Sequence, residues 1–295
     1  MDYVYDKERM SALLYQIVAQ QAGDKAELWL RQKAEVWQQS GALQQFNLTF
    51  SAIPRFIGKN QIIIDSTQEA ALKAIVPGFS VQGWPADRVA RAWWLLQLPV
   101  ADKTAYVKQL ETLFDAAEMN ELAALYGALP LLAFPEEWTL RTAEGIRSNI
   151  GTVQEAIMLN NPYPALYLSE AAWNQLVMKA IFTDKQIGRI IGLDERANAA
   201  LAAVLTDYAH ERWAAGRTVN PMLWRLVGPF VNETSFSDIK RVWNSENTIE
   251  REAAALACAQ TTYAPAIELL RERPALKAEI DADVLNWNLL SEKLN

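Results

Sequence analysis

The sequence predicts an all-α protein built as stacked helical hairpins of the HEAT-like α-solenoid type. Apolar residues recur at helical spacing along most of the chain. Only 12 glycines and 12 prolines occur in 295 residues, which favours long helices joined by short loops over many short strands. Short helical segments follow one another at similar intervals, as in helical repeats, although no strict repeat aligns. We expect a single domain over residues 1–295, in which N-terminal helices of residues 1–60 pack on a stack formed by residues 66–295.

The first two elements are predicted to be an antiparallel helical pair. Residues 5–21 and 24–39 both show helical spacing, and Gly23 separates them. The second helix is expected to point four side chains inward, namely Leu28, Trp29, Val36 and Trp37.

A less regular stretch is expected after residue 44, followed by a short extended segment at residues 62–64. Ser66 with Glu69 three residues later has the form of a capping box, which predicts the start of a helix. Later helices are expected to begin at Pro85, Asp102, about Asn120, Pro135, Ser169, Asp194 and Asn220, and three more are expected after Asn247.

The helix that begins at Pro135 is expected to run to about residue 159, with Ile146, Ile150, Val153 and Ile157 as one apolar stripe. On its polar side, Arg141, Glu144 and Arg147 are spaced three apart, which suits a ladder of charged pairs. One interpretation is that Arg141 and Arg147 bind an anion while Glu144 orients them or moves a proton. The other interpretation is an ordinary solvated face opposite a core stripe.

Three further polar residues extend this candidate site. Asn149 lies at the edge of the apolar stripe, where a buried amide would need a partner. Asn174 and Lys179 are the polar exceptions on the next helix, which is apolar around most of its circumference. If the two helices are neighbours, these side chains could line a polar cleft with the Arg-Glu-Arg cluster.

Composition limits the classes of partner. With 51% apolar and 21% charged residues, the chain resembles folded soluble proteins. Its net charge of -7, without a compensating run of lysines and arginines, argues against a nucleic-acid partner. Cys258 is the only cysteine, which excludes a disulfide within the chain and a multi-cysteine metal site.

The chain is expected to be cytoplasmic. Its first residues lack the basic and apolar segments of a secretory signal. The longest apolar run, residues 122–134, is too short to cross a bilayer. These features predict no transmembrane segment and leave a peripheral association with a membrane open.

Motifs for common catalytic chemistry are missing from the sequence. His210 is the only histidine, and neither H-E-x-x-H, G-x-S-x-G nor a phosphate-binding glycine loop occurs. A surface or packing role is therefore expected for His210, and no metal or cofactor is expected. The 11 tryptophans are interpreted as core filling, with a stacking platform for an aromatic metabolite or the tryptophan-lined bowl of an all-helical glycosidase as alternatives.

The segment of residues 134–230 carries a family resemblance. It contains R-T-A-E-G-I-R-S-N-I-G, N-N-P-Y-P, W-N-Q-L-V-M-K-A-I-F, G-L-D-E-R-A-N, Y-A-H-E-R-W-A-A-G-R and L-W-R-L-V-G-P-F. These motifs resemble the EboA family, which implies a protein of bacterial ebo gene clusters associated with traffic of a secondary metabolite or its precursor across the cell envelope. No catalytic role for any residue carries over from the resemblance. The family-like positions are Arg141, Glu144, Arg147, Asn149, Asn174, Lys179, Asp194, Arg196 and Asn198.

Three hypotheses on function follow from the sequence. The first is a non-catalytic helical-repeat protein that assists metabolite traffic by binding a small molecule or a protein partner from the same gene cluster. The second is an enzyme acting on a small anionic or aromatic metabolite, with Glu144 as acid or base and Arg141 and Arg147 as anion ligands. The third is a structural adaptor that uses a concave solenoid face.

Overall fold

A computed structural model describes residues 3–294. Within that range, helices account for about 70% of the residues and no β-strand forms. The predicted extended segment at residues 62–64 is reduced to an isolated bridge between Gln61 and Pro85. The prediction of an all-α fold is therefore confirmed. Contacts divide the chain into two compact units, Met1–Ser169 and Glu170–Asn295.

The first unit contains ten α-helices and two 3₁₀ turns, Leu129–Leu131 and Pro135–Trp138. Its helices are α1 (Lys7–Ala22), α2 (Asp24–Ser40), α3 (Leu43–Ile57), α4 (Ser66–Ile75), α5 (Ala86–Leu95), α6 (Lys103–Ala116), α7 (Met119–Gly127), α8 (Thr139–Arg147), α9 (Gly151–Met158) and α10 (Tyr163–Tyr167).

Helix α5 forms the centre of the first unit. It packs against α1, α3 and α7, and every residue in it except Arg88 is buried. Trp94 is fully buried, stacks on Phe46 of α3, and donates from Nε1 to the Phe46 carbonyl at 3.1 Å. A helix covered on several sides needs apolar residues around most of its circumference, as the sequence A-W-W-L-L provides.

A buried arginine allows α3 to contain a proline. Pro54 has no N–H, so the Phe50 carbonyl one turn earlier lacks its usual helical partner. Arg91 of α5 donates from Nε to that carbonyl at 3.1 Å. Its terminal nitrogens lie 2.9 Å from Asp87 and 3.5 Å from Glu121. The guanidinium therefore satisfies the carbonyl and two carboxylates, and helix α3 continues where an irregular stretch was expected.

The helix predicted from Pro135 to about residue 159 is instead a 3₁₀ turn followed by α8 and α9. The chain folds back between them because Gly145 permits a close approach. A Cβ at that position would lie 2.5 Å from Ile157 Cδ1 and 2.7 Å from the Tyr126 ring. Ile146, Val153 and Ile157 are buried as predicted, but on two packed helices rather than one.

The second unit contains eight α-helices and two 3₁₀ turns, Ile187–Arg189 and Gly228–Phe230. Its central helix α15 contacts α13, α14, α16, α17 and α18. The helices are α11 (Glu170–Phe182), α12 (Ala199–Ala214), α13 (Leu223–Val227), α14 (Phe236–Trp243), α15 (Thr248–Gln260), α16 (Ala264–Arg271), α17 (Pro274–Asp281) and α18 (Trp287–Glu292).

Several local predictions need correction. Leu28 and Val36 are exposed, because α2 buries Ala26, Leu30 and Ala34 together with the correctly predicted Trp37. The capping box before α4 is formed by Asp65 and Gln68, one residue earlier than predicted. Helix α12 begins after Asn198 rather than at Asp194, and four helices rather than three follow Asn247.

The single domain and the HEAT-like stacking stay predictions. In each unit one central helix packs against several others, α5 in the first unit and α15 in the second. The helix content and the packing of neighbouring helices in each unit fit stacked hairpins. They do not define a superhelix.

Candidate functional site

Arg141, the first residue of the predicted cluster, is surrounded by carboxylates within the first unit. Its Nη2 forms an ion pair with Glu111 and lies 2.9 Å from Asp115, both on α6. Nη1 lies 3.5 Å from Glu144, and the guanidinium sits 5.3 Å from the Phe114 ring centroid. These contacts attach α8 to α6, so the charge of Arg141 is already balanced within the fold.

The remaining members of the cluster lie at the surface. Glu144 is 58% exposed at its side chain, and Arg147 is exposed in the last turn of α8. Asn149 is exposed in the turn between α8 and α9. Tyr126 packs beneath them, donates its hydroxyl to the Arg141 carbonyl at 3.1 Å, and has its pKa raised to about 12 by burial. The structure thus brings Arg141 and Glu144 together, whereas Arg147 and Asn149 are exposed residues that follow them in the sequence.

Asn174 joins two elements of the second unit. Its Nδ2 donates to Asn198 Oδ1 at 3.2 Å, and Asn198 Nδ2 donates back to Asn174 Oδ1 at 2.9 Å. The same Asn198 oxygen accepts the Leu201 N–H at 2.9 Å and thereby caps α12. Asn174 therefore fixes the residue that starts the next helix.

Other residues of the G-L-D-E-R-A-N motif also make contacts within the second unit. Asp194 accepts two hydrogen bonds from Arg225 of α13, each at 2.6 Å. The Arg196 guanidinium lies 4.9 Å from the centroid of the buried Trp173 ring, and burial lowers the pKa of Arg196. This motif holds the turn before α12 against α11 and α13.

The predicted site residues are divided between the two units. Arg141, Glu144, Arg147 and Asn149 belong to the first unit, whereas Asn174 and the half-buried Lys179 belong to α11 of the second. A common cleft formed by all six side chains stays a prediction.

A histidine–carboxylate pair was not predicted. His210 on α12 places Nε2 2.8 Å from Asp238 Oδ1 on α14, a residue 28 positions later in the sequence. Both residues line a cavity of about 210 Å³ together with Asp207 and Asn232. The expected packing role of His210 agrees with this contact, because the pair joins two helices.

The loop between α12 and α13 borders a polar recess of the second unit. Helix α12 ends where Gly216 adopts a φ of +67°, a left-handed conformation that favours glycine. Arg212 donates from Nε to the Thr218 carbonyl at 2.9 Å, and Asn220 Oδ1 accepts the Met222 N–H at 3.0 Å. These bonds fix residues 216–221, which belong to the family-like segment.

Two adjoining cavities flank this loop, of about 410 and about 400 Å³, and both are lined by Thr218, Val219 and Glu250. We call them together the 216–221 recess. A stack of side chains forms one wall, with the Trp213 and Trp224 rings 5.8 Å apart and the Arg241 guanidinium 4.2 Å from the Trp213 centroid.

The charge of the recess differs from that of the chain. Four basic side chains line it against two acidic ones, although the whole chain carries a net charge of -7. Glu250 lies in the first turn of α15, where the helix dipole stabilises a carboxylate. The basic residues are Lys185, Arg212, Arg217 and Arg241, and the acidic ones are Asp184 and Glu250.

Two of these arginines have no carboxylate partner among the described residues. Both are exposed residues whose side chains make no hydrogen bond or ion pair there, and the Arg241 guanidinium lies over the Trp213 ring. Guanidinium groups usually pair with oxyanions, in geometries that can be bidentate. Chemically, the recess can therefore accept a small anion between Arg217 and Arg241. Sequence reasoning missed it because Trp224, Arg241 and Glu250 reach the loop from other helices.

Residues 3–294 contain neither a candidate metal site nor a membrane-spanning helix. No group of three or more histidine, cysteine or acidic side chains there is placed to hold a metal ion. In the same range, no helix combines the length and the apolar character needed to span a bilayer.

Comparison with known proteins places the sequence in a family. Residues 10–228 match the family model described as metabolite traffic protein EboA. No curated protein and no solved structure shows significant similarity to the chain. The matched range covers most of the chain, from α1 to the start of the Gly228–Phe230 turn, and includes Trp213, Arg217 and Trp224. The chain belongs to the EboA family.

Proposed function

We propose that this protein assists metabolite traffic by binding a small anionic molecule in the 216–221 recess, without transforming it. The family description supports the setting in metabolite traffic. The choice of an anionic ligand rests on two guanidinium groups, those of Arg217 and Arg241, which line one cavity. Neither has a carboxylate partner among residues 3–294.

The recess suits a small molecule with an oxyanion and an apolar body. Val219 and Val242 line it beside Trp213, so apolar surface is available next to the two charges. Ligand sites in proteins commonly combine apolar walls with a few polar groups that fix orientation. The combined size of the two cavities suits a metabolite rather than a single inorganic ion.

A protein partner from the same gene cluster is also proposed, because a carrier must deliver its ligand. The cytoplasm is proposed as the place of action, on the strength of composition and of the single buried Cys258.

The alternative of an enzyme with Glu144 as acid or base has less support. Arg141 is paired with Glu111, Asp115 and Glu144, so it is not poised to bind a substrate anion. The side chain of Glu144 is mostly exposed, whereas burial is the usual means by which a carboxyl is tuned for proton transfer.

The experiment compares benzoate with benzamide, two probes of similar shape that differ in charge. We expect saturation-transfer NMR on the full chain to detect benzoate in the recess and to give no signal for benzamide. Arg217→Gln and Arg241→Gln should each weaken benzoate binding on the order of tenfold, since each removes a charge-assisted hydrogen bond.

Arg271→Gln serves as the matched control, because Arg271 is exposed on α16 and pairs with Glu268. This variant should bind benzoate as the wild type does. Equal binding of benzamide, or unchanged benzoate binding in the Arg217 and Arg241 variants, would contradict the proposed site.

A further inference from the structure

One surface of the first unit is apolar and basic. It is formed by neighbouring sides of α2 and α3, which pack against each other. A groove of about 390 Å³ runs between the two helices there. We define the α2–α3 face by six residues, Trp29, Lys33 and Val36 on α2 and Leu48, Arg55 and Phe56 on α3.

Large apolar side chains are exposed on this face. Leu48 is 59% exposed, Phe56 50% and Val36 46%. The Trp29 and Phe56 rings stack with centroids 4.3 Å apart and planes 10° apart. Helix α3 already buries its opposite side, so these residues are not needed for the core of the unit. Clustered apolar exposure of this kind marks an interaction surface.

The charges on the face have one sign. Lys33 lies 5.9 Å from the Trp29 ring centroid, and Arg55 lines the groove beside Phe56. Among residues 3–294, none that lines this groove is acidic, and the sequence of α3 contains no acidic residue.

Two of the three acidic residues of α2, Glu27 and Glu35, contact other parts of the first unit. Glu27 accepts a hydrogen bond from Tyr15 of α1 at 2.8 Å, and Glu35 lines a separate groove with Lys7 and Trp93. The basic character of the face is therefore a local segregation of charge on an acidic chain.

We propose that the α2–α3 face docks on the surface of an anionic lipid membrane. Tryptophan and phenylalanine rings bind at the headgroup level, and exposed leucine and valine side chains enter the acyl boundary. Lysine and arginine extend their apolar stems along this surface while their charged ends contact anionic headgroups. Helices α2 and α3 pack against each other and line one groove, so both contribute apolar and basic groups to the same face.

Lipid fits the face better than a folded partner does. The exposed side chains Leu48 and Phe56 project from the helices, and the polar lining of the groove includes Thr49, whose hydroxyl already donates to the Gln45 carbonyl. A bilayer offers fluid apolar volume and diffuse negative charge, so it needs no matched hydrogen-bonding groups. This proposal uses residues separate from the 216–221 recess, and either can fail alone.

The test is co-sedimentation of the full chain with vesicles. We expect the wild type to sediment with vesicles of phosphatidylcholine mixed with phosphatidylglycerol and to remain in solution with phosphatidylcholine alone. Added salt should release it, because the headgroup attraction is screened. The double variant Leu48→Ser/Phe56→Ser and the double variant Lys33→Gln/Arg55→Gln should each reduce partitioning on the order of tenfold.

Two matched controls test whether the effect belongs to this face. Leu140→Ser/Val284→Ser removes exposed apolar residues elsewhere, and Arg271→Gln/Lys277→Gln removes two exposed charges elsewhere. Both should sediment as the wild type does, and thermal melts should show that all variants fold.

Three outcomes would overturn the proposal. The first is a wild type that stays in solution with anionic vesicles, which is the result expected if the face binds an acidic protein helix. The second is equal sedimentation with neutral vesicles, and the third is unchanged sedimentation of both face variants.

Discussion

At the scale of single residues, buried charge is the feature most sensitive to substitution. Arg91 and Asp87 are both buried on α5 and lie 2.9 Å apart. Burial lowers the pKa of Arg91, whereas Asp87 and Glu121 act to raise it. The guanidinium also satisfies the Phe50 carbonyl that Pro54 leaves without a partner. Loss of one member of this group leaves a buried charge or a buried carbonyl without its partner.

Asp87→Ala is therefore expected to lower the free energy of unfolding by about 3–5 kcal/mol, because it leaves Arg91 buried without its closest carboxylate. Asp115→Ala is the control, since Asp115 is exposed and its loss should cost about 1 kcal/mol or less. Urea denaturation monitored by circular dichroism measures both. Similar values for the two variants would show that Arg91 does not depend on Asp87.

The lone cysteine gives a second residue-scale prediction. Burial raises the pKa of the Cys258 thiol from 9.0 to about 12. Because the folded state holds the proton more tightly, this contribution to stability is present below pH 9 and is lost as pH rises toward about 12.

At about pH 8, Cys258 of the folded protein should react with a disulfide reagent only as fast as the protein opens, since the thiolate is the nucleophile. Addition of urea should speed the reaction greatly. A rapid reaction of the native protein would mean that the thiol is accessible and ionised.

At the scale of elements, two helix starts follow from a few consecutive residues. Helices are expected to begin at Asp102 and after Asn247, and in the structure these two residues cap α6 and α15. The buried sides of α2 and the helical state of α3 were not predicted, because they depend on contacts with α1 and α5. The break between α8 and α9 likewise depends on Tyr126 and Ile157 meeting Gly145.

The candidate site, too, could be predicted only in part from the sequence. Sequence reasoning identified the family-like segment, and the 216–221 loop lies within it. Helical phasing does not connect residues that lie 26 to 30 positions apart. Such distances separate Arg141 from Glu111 and Asp115, His210 from Asp238, and Arg241 from Trp213.

The N-terminus of α12 gives the element-scale prediction. Asn198→Ala should lower the free energy of unfolding by about 1–2 kcal/mol, because it removes both the cap and the paired amides. Asn174→Ala should cost less, since the Leu201 N–H keeps its cap. A double-mutant cycle read by urea denaturation should show coupling between the two positions, and strictly additive effects would contradict the paired geometry.

At the scale of the whole molecule, the chain is acidic and forms two compact units. Each unit has one surface region where basic side chains cluster. In the first unit the basic side chains Lys33 and Arg55 accompany exposed apolar residues. In the second, Arg217 and Arg241 line a recess. We therefore propose that anion binding and membrane docking reside on separate units, the second and the first.

Native mass spectrometry of the protein purified from its own cells tests the central claim most directly. The wild type should retain a small molecule that carries negative charge, and the matched control Arg271→Gln should retain it as well. The double variant Arg217→Gln/Arg241→Gln should be empty while keeping the wild-type melting temperature. A wild type that is empty, or a double variant that retains the same mass, would contradict binding in the 216–221 recess.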